Sequence, residues 1–106
     1  MKFVNREDFI RFDEKRFTKV DMIKRRHSVA FMLNFLPEQQ MKSHNHPGRE
    51  LYLHIISGTG TLLIDGEEVP VQEGDVLYCE PEEQIGFNNT SEGKVSIYVT
   101  MTKISE

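Results

Sequence analysis

The chain has 106 residues, 38% hydrophobic and 28% charged, a balance that fits one globular domain around one modest core and excludes a disordered chain. A formal net charge of −4 excludes the basic footprint of a nucleic-acid binder, and Lys24-Arg25-Arg26 is too short to restore it. No apolar run approaches the ~20 residues that span a bilayer, no signal-like segment opens the chain, and its one cysteine, Cys79, has no internal partner, so a cytoplasmic protein without nucleic-acid or membrane partners is expected.

Residues 1–27 read as an irregular N-terminal extension preceding the main domain at 28–106. In the extension Asn5 suits the cap of one helical turn through Phe9 and Ile10, and residues 17–24, with their lysines, suit an edge strand. Residues 28–36 are almost wholly apolar; Val29, Phe31, Leu33 and Phe35 form one face at period two before Pro37 stops the run. Further strands are expected at 51–56, 61–64, 67–71, 76–79 and 94–102. Asp65-Gly66 between two of them suits a type I′ hairpin, whose central residues both need positive φ. The last strand alternates cleanly, with Val95, Ile97, Val99 and Met101 on one side. Many short strands at close spacing predict an all-β sandwich or barrel.

The chemistry-bearing triplet is His44-Asn45-His46, with Glu50 four residues on and Pro47-Gly48 turning between them. Side chains two apart on an extended segment point the same way, so both imidazoles can approach one ion. Two imidazoles and a carboxylate make a 2-His-1-carboxylate set, suited to Fe(II) and compatible with Mn, Ni or Zn. Two surface histidines that bind nothing are the plainer alternative.

From His44-Asn45-His46 through Glu50 to Gly58, and again from Gly74-Asp75 through Gly86-Phe87, the chain resembles the cupin superfamily, in particular its small single-domain members. The resemblance covers roughly residues 31–102 and implies a double-stranded β-helix, the jelly-roll barrel, with His44, His46 and Glu50 as metal ligands. Glu38 stands where the first motif opens on glycine, and Ile85 stands where the second motif carries its histidine, the family's usual fourth ligand. Seven residues separate Glu50 from Gly58 where the motif has six.

That extra residue leaves two registers open. If Glu50 points inward, Tyr52 and His54 line the lumen with it; if Leu51, Leu53 and Ile55 do, Glu50 faces away. Burying three aliphatic side chains at about 1.5–3 kcal/mol each favours the second. A β-bulge near Glu50, setting Glu50 and Leu51 on one side, satisfies both demands and is the expectation. Gln84 and Ile85 are expected at the pocket wall beside Tyr52 and His54, and Arg25 or Arg26 is a candidate for reaching an anionic ligand at the barrel mouth.

Three functions follow. The chain is read first as a small-molecule-binding cupin with an incomplete divalent-metal site. The alternatives are a metal-dependent enzyme (an Fe(II) oxygenase or isomerase) built on His44, His46 and Glu50, and a structural cupin without metal. A homodimer is expected, formed through outer sheet faces or exchanged N-terminal strands.

Overall fold

Nine strands form two antiparallel sheets in the computed structural model, which describes residues 1–104. They are β1 (Thr18–Lys24), β2 (Ser28–Phe35), β3 (Gln40–His44), β4 (Arg49–Ser57), β5 (Thr59–Ile64), β6 (Glu67–Gln72), β7 (Val76–Cys79), β8 (Ile85–Asn88) and β9 (Val95–Lys103). One sheet runs β1-β2-β9-β4-β7 and the other β3-β8-β5-β6. Their inner faces close on each other as a double-stranded β-helix.

The period-two faces of the sequence fill the space between the sheets. Phe31, Leu33 and Phe35 of β2, Leu51, Leu53 and Ile55 of β4, and Val95, Ile97 and Val99 of β9 are all buried there. Leu62, Val71, Ile85 and Phe87 answer from the other sheet. Phe35 stacks on Phe17 with ring centroids 5.0 Å apart and meets Phe87 at 4.7 Å, plugging one end of the barrel with aromatic carbon.

Asp65 and Gly66 both have positive φ, 51° and 83°, as the hairpin between β5 and β6 requires. Pro70 sits in β6, the outermost strand of its sheet, where a missing N–H costs no ladder bond. Before the sheets, Arg6–Phe9 forms a 3-10 turn whose first N–H groups are met by the Asn5 side chain, which accepts from the Glu7 amide at 2.9 Å.

The outer side of β2 is buried as well. Asn34 there donates to the carbonyl of Phe9 at 3.0 Å and to Thr18 Oγ1 at 3.1 Å, and accepts from Ser96 Oγ at 2.7 Å. The N-terminal segment is thereby bonded to the barrel at a fully satisfied polar site. β1 then joins β2 from Thr18↔Asn34 to Lys24↔Val29, with a bulge between Asp21 and Ile23.

Two strands, β3 and β8, are not foreshadowed as separate elements by the sequence. Four of the five β3 side chains are exposed, so no apolar period marks it, and β8 has four residues with a glycine among them. They pair at Gln40↔Asn88, Met41↔Phe87 and His44↔Ile85, with a register shift between Met41 and His44. A methyl at Gly86 would lie 2.6 Å from Ser43 Oγ and 3.0 Å from the Met41 carbonyl, so the bare backbone of β8 is what lets β3 cross so closely.

Candidate functional site

An open cavity of about 150 Å³ lies between the sheets, beside Phe17 of the aromatic stack. Its walls are almost entirely carbon: Phe31 and Leu33 from β2, Leu51 and Leu53 from β4, Val99 from β9, Met41 from β3 and Ile85 from β8. Phe17 and Lys19 close the near side, and His44 and His46 supply the polar edge. The inward aliphatic phase of β4 leads to this greasy lumen.

The two imidazoles stand together at the rim, centroids 4.6 Å apart and planes at 63°. His44 ends β3, and its Nδ1 donates to the Lys42 carbonyl at 2.8 Å, which fixes the proton on that nitrogen and leaves Nε2 with a free lone pair in the neutral ring. His46 follows β3, and its Nδ1 is buried with no hydrogen-bond partner. Partial burial, then the neighbouring His44, Arg49 and Lys19, lower the pKa of His46 from its usual 6.5, so its ring is neutral at pH 7. The cavity edge therefore offers two imidazoles that accept or donate single hydrogen bonds.

Glu50 is not with them. β4 pairs with β9 without interruption from Arg49↔Lys103 to Ile55↔Ile97, and the bulge falls between Ile55 and Ser57 rather than near Glu50. Strict alternation upstream of it turns Leu51, Leu53 and Ile55 inward and Glu50, Tyr52 and His54 outward. On the outer face Glu50 Oε2 accepts the Tyr78 hydroxyl at 2.9 Å, and that acceptor pushes the Tyr78 pKa well up. Tyr52 is 53% exposed and packs on Tyr78 with centroids 5.1 Å apart. His54 faces a separate shallow groove beside Tyr98 and Phe3.

Of the remaining expected wall residues, Ile85 lines the cavity and is buried, directly across the β3–β8 ladder from His44. Gln84 is exposed, its backbone bonded to Asp65 across the hairpin, and does not reach the lumen. Phe17 and Lys19 join the wall without a motif to announce them. They come from the stretch read as irregular, and the signal that places them is the edge strand that begins at Thr18.

The donor set decides the fit to a metal. Two imidazoles face a branched alkane where a third would stand, and the carboxylate projects from the other side of its strand. Among the described residues no group of three or more His, Cys, Asp or Glu side chains is placed to hold an ion. The residues present do not fit a resident 2-His-1-carboxylate centre. Cys79 offers no substitute: burial first, then Glu83, Asp65 and Glu80, push its thiol up to about 11, so it stays protonated.

The cupin domain model matches residues 31–101, and the chain belongs to the cupin family. Among solved structures it superposes on TT1209 from Thermus thermophilus with a TM-score of 0.91 at 17% identity, covering 97% of this chain and 98% of that one. A conserved protein with a double-stranded β-helix domain from Klebsiella pneumoniae gives 0.91 at 17% identity, with 97% and 90% covered. An RmlC-like cupin from Desulfovibrio desulfuricans gives 0.79 at 25% identity, with 93% and 95% covered. No curated protein matches.

Proposed function

We propose that this chain is a small-molecule-binding cupin that holds a compact ligand in its apolar lumen, with His44 and His46 as hydrogen-bonding contacts beside an incomplete divalent-metal site. The observation that carries the reading is the open, carbon-walled cavity of about 150 Å³ with both imidazoles on its edge. Pockets of this kind take up an apolar body and fix its orientation through a few polar groups. The enzyme reading needs a carboxylate among the histidines, and Glu50 is engaged with Tyr78 on the outer face instead.

Two titrations of the full chain test this. An aryl probe, benzyl alcohol or benzoate, should shift the methyl resonances of Leu33, Leu53 and Ile85 in an NMR titration; no shift at any of them with either probe overturns the reading. Zn, Ni, Mn and Fe(II) should bind the native chain no tighter than high micromolar, while Ile85→His, which sets a third imidazole across from His44, should bind Zn or Ni at least tenfold more tightly. Sub-micromolar stoichiometric binding by the native chain would favour the metal-dependent enzyme.

The proposal extends to a second copy and to the cytoplasm, where the lone, partnerless Cys79 suits reducing conditions. Tyr52, Tyr78 and Val76 form an exposed apolar patch on β4 and the outermost strand β7, and pairing through it would cover all three. Sedimentation should give twice the chain mass, reduced to one by Val76→Glu with Tyr52→Glu.

A further inference from the structure

A second concavity of about 320 Å³ adjoins the lumen, and its composition is opposite. Lys19, Lys24, Arg25, Arg26, Arg49 and Lys103 line it, with His27 and a single carboxylate, Asp21. An acidic chain of net charge −4 thus gathers six of its 13 lysines and arginines in one notch. Four strand ends put five of them there, and Lys19 reaches the notch from the start of β1. β1 finishes and β2 begins around the Lys24–His27 turn, β9 finishes at Lys103, and β4 begins at Arg49.

The backbone ties these ends together. The Lys103 amide donates to the His27 carbonyl at 2.8 Å, the Arg25 amide to the Ser28 carbonyl at 2.8 Å, and the Arg49 amide to the His46 carbonyl at 3.0 Å. Arg49 and Lys103 are direct cross-strand partners, a like-charge pairing that destabilises a sheet unless something between them relieves it. Among the described residues only Lys19 of the six has an ion-pair partner, Asp21 at 3.0 Å.

The notch and the lumen share a wall. Lys19 lines both, its ammonium 4.4 Å above the ring of Phe31 in the lumen, and Arg49 sits three residues from His46. We propose that the basic notch is the anion subsite of the lumen, so that the ligand is a small organic anion: one carboxylate or phosphate group held by Arg49, Lys103 and the Arg25-Arg26 turn, carried on a compact apolar or aromatic body in the cavity. The size agrees, since an apolar cavity of ~150 Å³ admits a benzene ring. The guanidinium forks of Arg25, Arg26 and Arg49 match the paired oxygens of either anion. The inference rests on the proposed ligand-binding reading and names the class of its ligand.

Four probes added separately to the full chain test it by calorimetry and amide NMR: benzyl alcohol, benzoate, phenyl phosphate and inorganic phosphate. At least one aryl anion should bind tenfold or more tightly than both benzyl alcohol and inorganic phosphate, and shift the amides of Arg49 and Lys103 together with those of His46 and Leu53. Whichever of benzoate and phenyl phosphate binds tighter identifies the anion. The advantage over benzyl alcohol should shrink in 0.5 M salt and fall at least fivefold in Arg49→Gln. Arg26→Gln with Lys103→Gln, both at exposed positions, should show the same loss if Arg49→Gln fails to fold. Benzyl alcohol binding as tightly as the aryl anions overturns this inference and leaves the ligand-binding reading standing. An advantage that survives the charge removals, or inorganic phosphate matching the aryl anions, also overturns it, because notch and lumen are then unconnected. Failure of every aryl probe overturns both.

Discussion

Glu38 holds a φ of 71°, in the left-handed region that a side chain with a Cβ enters at a cost of about 1–2 kcal/mol. The motif that this chain resembles has glycine at that position, so Glu38→Gly should raise unfolding free energy by about 1 kcal/mol in a denaturant titration. His46 carries a pH dependence of definite sign. Its folded-state pKa lies below the unfolded 6.5, so the unfolded chain takes up the proton more readily. Stability contributed by the neutral ring is complete above about pH 6.5 and is lost as the pH falls below it. His46→Gln should flatten that part of the stability profile between pH 7 and 5, measured as the denaturation midpoint at each pH. A profile unchanged by the substitution would place the loss at another group.

Within elements, β4 shows what is legible and what is not. Its alternation is plain in the sequence, but alternation alone fits two phases, and only the energy of three buried aliphatics distinguishes them. The resemblance to a metal-binding motif favours a bulge near Glu50, whereas the strand places it beyond Ile55, where the extra residue is absorbed without disturbing the inward leucines. Leu53→Ala should therefore cost about 2–5 kcal/mol, and His54→Ala, one residue away and exposed, less than about 1 kcal/mol, in paired denaturation experiments. Equal losses would mean that the phase of the strand is the other one. The jelly roll, the Asp65-Gly66 hairpin and the long strands β2 and β9 are readable because each carries several mutually consistent signals. β3 and β8 are not, because they are short and their pairing depends on a close backbone crossing at Gly86 that no local pattern announces.

At the scale of the whole molecule, the N-terminal residues are part of the barrel's construction. Phe17 stacks on the plug at Phe35, the Phe9 carbonyl completes the buried Asn34 amide, and the Asp13 carbonyl accepts from Gln39 Nε2 at 2.7 Å. Removing residues 1–27 would strand a buried amide and expose an aromatic face, and the shortened chain should lose more than about 3 kcal/mol or fail to fold by circular dichroism. The same connectivity governs how the lumen is reached. β1 is hydrogen-bonded to β2 alone, yet it begins one residue beyond Phe17 and carries Lys19 on the cavity's rim. One panel of the chamber is thus an edge strand with a single neighbour, and a guest that touches this panel braces it. Occupancy should then be recorded as slower deuterium uptake along β1, while β9, clasped between two neighbours, keeps the protection it already has.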